Sequence, residues 1–246
     1  MPTPGTVNSV DHALRLIALL AEPGRQAATV SDLARALELP RPTLYRLLAT
    51  LAEHQFVVRD GKGYRLTLRL LQLGETVLSA GALQAVCRPY LAELSAATGE
   101  TVHFAVLDGD KAGYVAKIEG EHAIRMFSRT GWRGPLHATA VGKVLLAWSG
   151  PDLLAGLAGT TLERYTGHTL TDHEALADEV RAVRRRGYAV DRQELLDGLL
   201  CIAAPALAGE RLIGSVSISG PVSRAENLQA AAAEVRAVGR RIGAAF

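Results

Sequence analysis

Three short stretches of helical periodicity followed by two extended runs are compressed between Ser9 and Leu66, and this compression limits the fold more than any other feature. Val10, Leu14, Ile17 and Ala21 recur at i, i+4, i+7 and i+11, predicting an amphipathic helix over Ser9–Ala21. Ser9 is its expected N-cap and Pro23-Gly24 its stop. A second helix is predicted over Ser31–Leu37, capped by Thr29 with Asp32 or by Ser31 itself. A third begins near Pro42, since proline lacks an N–H that the first turn would leave unpaired anyway. Leu44, Leu47, Leu48 and Leu51 form its apolar stripe. Phe56–Leu66 reads as a hairpin around the Asp60-Gly61 pair. Three helices and a hairpin, with the second and third helices close in sequence, predict a winged helix-turn-helix.

With its leucines turned inward, the third helix presents Pro42, Tyr45, Arg46 and Ala49, with Arg41 and Thr43 at its leading end. Small, aromatic and arginine side chains on an exposed helix face suit a DNA major groove. Charge supports this. Residues 41–69 hold six basic groups against two acidic ones, an excess of four, whereas residues 81–246 hold 18 of each sign. The positive excess is the footprint of a small nucleic-acid module beside a neutral domain. In the hairpin, Arg59 and Lys62 flank the turn and can reach phosphates.

Residues 67–81 are leucine-rich and expected to form a linker helix, with Gly81 as the boundary. The domains predicted are thus 1–66 (DNA binding), 67–81 (linker) and 82–246 (effector binding and oligomerisation). The last reads as α+β: a helix over Ala82–Thr98, an antiparallel meander (Thr101–Leu107, Gly113–Ile118, Ala123–Phe127), and helices over His137–Trp148 and Thr171–Arg186. Strands follow at Tyr188–Val190, Leu200–Ala206 and Leu212–Ser219, then a single closing helix over Ala225–Ile242. Such strands between helices resemble a GAF-like sensor fold, an antiparallel sheet with flanking helices. Alternation on the last strand places Leu212, Val216 and Ile218 on one face and Ser215, Ser217 and Ser219 on the other. A row of hydroxyls suits a polar ligand. Gly134–Lys143 puts small residues at a helix start, where free N–H groups attract a carboxylate.

Enzyme signatures are missing from the sequence: there is no GxGxxG, P-loop or GxSxG, and Ala177 stands where HExxH needs its second histidine after His173-Glu174. Scattered histidines such as His103 and His137 read as structural. Two distant cysteines, Cys87 and Cys201, exclude a disulfide scaffold. The longest charge-free runs, such as Gly198–Gly209, are too short to span a bilayer. Met1–Val10 has neither the basic start nor the apolar core of a signal peptide. A cytoplasmic, non-enzymatic protein without cofactor or metal is expected.

The segments Ser9–Leu16, Leu33–Pro40, Thr43–Leu51, Gly99–His103, Pro135–Lys143, Arg186–Asp191, Cys201–Pro205 and Ser217–Gly220, taken in this order, resemble the IclR family of bacterial transcriptional regulators. The resemblance implies a homodimer or dimer of dimers, double-stranded operator DNA as partner, and a small-molecule effector. Effectors in such a family are small metabolites, often organic or aromatic acids, and the regulated genes an adjacent catabolic operon. Carried over, the effector site comprises the backbone at Ala140 and Val141, the side chains of Asp191, Cys201, Ser217 and Ser219, and an apolar wall near Met126. Ala140 replaces a glycine of some members, which narrows the site. Arg41-Pro42 replaces a more usual Lys-Ser, which changes half-site preference. A second reading is a metabolite-binding protein or enzyme whose winged helix mediates protein contacts.

Overall fold

A computed structural model describes residues 7–22, 27–70, 72–73, 80–121 and 128–246. They form two compact units, Met1–Ser79 and Ala80–Phe246. Much of the expected linker helix, the Pro23-Gly24 stop, the strand at Ala123–Phe127 and the wall residue Met126 fall outside the described residues.

The first unit contains α1 (Asn8–Leu20), β1 (Ala28–Thr29), α2 (Val30–Leu37), α3 (Arg41–Glu53), β2 (Val57–Asp60) and β3 (Gly63–Leu66). Thr29 caps α2 by accepting from the Asp32 N–H, while its hydroxyl donates to the Asp32 carboxylate. The hairpin register pairs Asp60 with Gly63, leaving Gly61 and Lys62 as the turn, with Gly61 at φ 56° where a side chain is unfavourable. Leucines from all three helices and Val57 make the core. Two expectations fail at α1. Ser9 does not cap it, since the helix begins at Asn8 behind Val7, which offers no side-chain cap. Its buried stripe is Leu16 and Leu20, whereas Val10 and Leu14 are 54% and 61% exposed. Apolar residues occupy two sides of this helix, and only the side opposite α2 and α3 finds a core. The two-residue β1, too short to read from sequence, adds a third strand beside β3.

The second unit has α4 (Ala80–Thr98), β4 (Thr101–Asp108), β5 (Lys111–Ile118), β6 (Arg133–Pro135), α5 (Ala140–Trp148), α6 (Pro151–Leu157), α7 (His173–Arg186), β7 (Ala189–Arg192), β8 (Leu199–Ala208), β9 (Arg211–Pro221), α8 (Ala225–Ala230) and α9 (Ala232–Gly243). The six strands form one antiparallel sheet in the order β6-β5-β4-β9-β8-β7. One face carries Val102, Phe104, Ile202, Val216 and Ile218 onto α4 and α9. The other carries Tyr114, Ala189, Leu199, Cys201 and Ala203 toward α5 and α7. The fold is therefore α+β, with a helix-turn-helix unit followed by a curled antiparallel sheet with helices.

Three local readings change. Leu212 packs with the α5 side, not with Val216 and Ile218. The register with β8 shifts between Ala206 and Leu207, so β9 carries an extra residue at Ile213 and its alternation inverts there. The closing helix is broken at Ala231 into α8 and α9. Helix α5 starts at Ala140 rather than His137, because Thr139 caps it from an extended conformation.

Candidate nucleic-acid interface and effector site

In α3, Leu44, Leu48 and Leu51 are buried, which leaves Arg41, Pro42, Tyr45, Arg46 and Ala49 exposed, with Thr43 half-buried. Tyr45 is 54% exposed, a large ring held in water by a helix whose other side is core. Arg41 donates to the Ser31 hydroxyl at 3.0 Å, tying the start of α3 to α2. Arg46 and Thr43 border a groove of about 340 Å³ whose far wall is Ser9 and His12 of α1. The sequence gives neither residue a site role, because their proximity to α3 is tertiary. Across the hairpin, Arg59 and Lys62 are exposed, whereas Arg65 is engaged with Asp60 at 3.0 Å. Long cations beside a turn and an arginine-bearing helix face form a surface able to contact phosphates and base edges.

The second site grows from sheet register. Asp191 on β7 pairs with Cys201 on β8, Cys201 with Ser219 on β9, and Ser219 with Thr101 on β4. One row along, Ala203 pairs with Ser217, and Ser217 with His103. Alternation places all these side chains on the face toward α5 and α7. Ser217 and Ser219 are buried there, as are Asp191 and Cys201. The hydroxyls therefore do not face solvent; they line the interior.

Each polar group has a local account. His103 Nε2 lies 3.0 Å from the Ser128 hydroxyl and its Nδ1 3.4 Å from that of Ser219. Burial, with Lys117 adding repulsion, pushes His103 down to about 3, so the ring is neutral. Burial holds the Cys201 thiol and the Tyr114 hydroxyl well above their usual ranges, so both stay protonated. Asp191 is 1% exposed; its Oδ1 accepts the Glu194 N–H at 2.7 Å, and Oδ2 has no partner. Desolvation, reinforced by Glu194, raises Asp191 to about 7.

Helix α5 closes the site. Thr139 accepts the Gly142 N–H on its side chain and the Lys143 N–H on its carbonyl. Ala140 and Val141 are thereby left as the open donors of the first turn, at the positive end of the helix dipole. A Cβ at Gly142 would stand 2.4 Å from the Leu136 carbonyl oxygen, so only glycine lets the incoming chain fold this tightly under the helix. Lys143, 1% exposed, donates to the Val190 carbonyl at 2.5 Å and to Glu194 at 2.6 Å. This pair, 51 residues apart, was missed; the available signal was a lysine within an otherwise apolar helix. His137 Nε2 donates to the Glu163 carbonyl at 2.9 Å, and His173 Nε2 to the Thr160 carbonyl at 2.9 Å. No cluster of metal-ligating side chains occurs among the described residues.

Residues 9–61 match the IclR helix-turn-helix domain and residues 75–244 the C-terminal domain of bacterial IclR transcriptional regulators. The HTH-type transcriptional regulator XynR of Escherichia coli is 36% identical over 229 residues, covering 92% of this chain and 90% of that protein. Among solved structures, a transcriptional regulator from Rhodococcus sp. RHA1 superposes with a TM-score of 0.78 at 34% identity, covering 97% of each chain. An IclR homologue from Microbacterium hydrocarbonoxydans, in complex with 4-hydroxybenzoate, gives a TM-score of 0.75 at 25% identity, covering 95% of this chain and 99% of that one.

Proposed function

Because the chain belongs to the IclR family of bacterial transcriptional regulators, we propose that it is an effector-controlled regulator. It grips operator DNA with its first unit and senses a small organic or aromatic acid with its second. The division of labour follows the domains 1–66, 67–81 and 82–246. Helix α3 enters the major groove with Arg41, Pro42, Thr43, Tyr45, Arg46 and Ala49 toward the bases, while Arg59 and Lys62 hold the backbone. The effector lies between the Ala140 and Val141 N–H groups and the row Asp191, Cys201, Ser217 and Ser219.

The observation that carries this reading is the interior polar row, facing a helix start with open donors. Burying hydroxyls, a thiol and a carboxyl together is costly without a partner that uses them. A carboxylate suits the open N–H groups, and serine hydroxyls donate or accept as needed. The 4-hydroxybenzoate complex of a relative supports an acid of this size. The exposed Val7, Val10 and Leu14 stripe on α1 supports assembly as a homodimer or dimer of dimers. No helix of the described residues is long and apolar enough to cross a membrane. The adjacent catabolic operon is the expected target.

The test is a mobility-shift titration on the chain's own upstream DNA, with and without a panel of small acids. Operator binding that responds to one acid supports the reading. Binding that no panel member changes, with calorimetry showing no ligand taken up, rejects the effector half of it.

A further inference from the structure

The charges around Asp191 balance without it. Lys143 reaches over from α5, bonded to Glu194 at 2.6 Å and lying 3.8 Å from Glu179 of α7. Glu179 in turn takes Arg186 at 2.6 Å. Two cations and two carboxylates therefore close to zero. The remaining titratable neighbours are neutral: Tyr114 from β5 and Cys201 from β8 keep their protons, and His103 from β4 lacks one. An ionised Asp191 would be a buried charge that Lys143 and the Glu194 and Leu195 N–H groups offset only in part, which is expensive. Its neutral form costs far less and turns the unpartnered Oδ2 into a hydroxyl donor.

Position gives that donor a target. Lys143 sits in the first turn of α5 and bonds the Val190 carbonyl, the residue before Asp191. The Lys143 side chain thus ties the first turn of α5 to the β7 backbone beside Asp191. An anion seated on the Ala140 and Val141 N–H groups would be repelled by a carboxylate there and held by a carboxylic acid.

Resting on the effector reading above, we propose that Asp191 takes and releases a proton in the free protein and, in its protonated form, donates a hydrogen bond to the effector's carboxylate. Effector capture thereby takes up a proton from solvent whenever Asp191 was ionised beforehand. Balance is simple: one carboxylate and one proton enter, and no bond is made or broken. The raised value of about 7 sets the window. Uptake is small well below this value and approaches one proton well above it, where affinity falls toward tenfold per pH unit.

Two measurements on the full chain test this. Infrared difference spectra between wild type and Asp191→Asn at pH 6, without ligand, should show a protonated-carboxyl band that fades by pH 8. Calorimetry with glycolate, lactate, benzoate and 4-hydroxybenzoate, in phosphate and in Tris, counts protons per ligand. The binder should take up protons at pH 8 in wild type and none in Asp191→Asn. A retained cooperative denaturant transition of the second unit in Asp191→Asn shows that the variant folds. A missing band at pH 6, or a binder with no proton uptake at pH 8, overturns the proposal while the effector site stands. A panel without any binder removes the effector reading itself.

Discussion

The two units bury different chemistry. Among the described residues, every buried polar or charged side chain lies at or beyond Ser95, in the second unit. Among the described residues, the first unit fully buries only leucine, alanine and valine side chains and keeps its arginines and Tyr45 outside. A surface that must meet a polyanion keeps its polar groups solvated until contact. On the proposed reading, an interior that recognises one small molecule has to pre-pay their burial. The contrast teaches where fragility lies: the first unit depends on hydrophobic packing, the second on electrostatic pairing as well.

The sharpest way to break this contrast is Lys143→Met. It strands Glu194 in the interior, while Glu179 keeps Arg186, and should cost about 3–5 kcal/mol, the usual penalty for halving a buried pair. Denaturant unfolding of the full chain should show the second unit's transition moving to lower denaturant. An unmoved transition would mean that the pair contributes nothing to stability.

The pH dependence sharpens the same point. Asp191 has a folded value, about 7, above its ordinary 3.8. The native state therefore holds its proton more tightly than the unfolded chain. Stability from this group is complete below about 4 and is lost as pH rises toward 7. Subtracting the unfolding free energy of Asp191→Asn from that of wild type should give a curve that falls between these limits and is flat above them. A curve that rises would show an ionised, paired Asp191.

For the first unit, Leu48→Ala should cost about 2–5 kcal/mol, since the side chain is fully enclosed by the other helices. Operator binding should weaken on warming while effector binding at the same temperature is unchanged. Loss of both would show that the units do not unfold separately.

Arg46→Ala should cost operator affinity about 1–3 kcal/mol if the guanidinium reads a base. If it holds phosphate, the loss should be similar on all sequences, with a shallower salt slope. Electrophoretic titration on operator and scrambled DNA separates the two, and equal affinity to wild type on both removes Arg46 from the interface. Replacing Arg59 and Lys62 together with alanine should have the smallest effect, lowering affinity for any DNA and leaving calorimetric effector binding intact.

Legibility in the sequence follows the range of the forces involved. The α3 stripe could be read because Leu44, Leu48 and Leu51 lie within one helix and need only its period. The capping of α2 by Thr29 was equally local. The α1 stripe was not, because Val10 and Leu14 satisfy the same period as Leu16 and Leu20, and tertiary packing chooses between them. On β9 the serine row was visible, but Leu212 changed sides because one inserted residue reverses a two-residue alternation. In the buried polar row, Ser217 and Ser219 are legible by alternation, and Asp191 and Cys201 only through family resemblance. Lys143, Glu194 and Ser128 escaped both routes, since each is joined to its partner across at least 25 residues.

The close fit at Gly142 has a consequence for how such a regulator diversifies. The first turn of α5 is a cast part: its donor spacing is set by main chain pressed against main chain, and no single side-chain replacement at Gly142 leaves that spacing intact. Ala140, next to it, carries a methyl group and can change size without disturbing the casting. Descendants of this chain that acquire new signals would accordingly keep the anion cup and remodel its walls. If the proposed effector site holds, their preference for anions would outlast any change in which molecule is sensed.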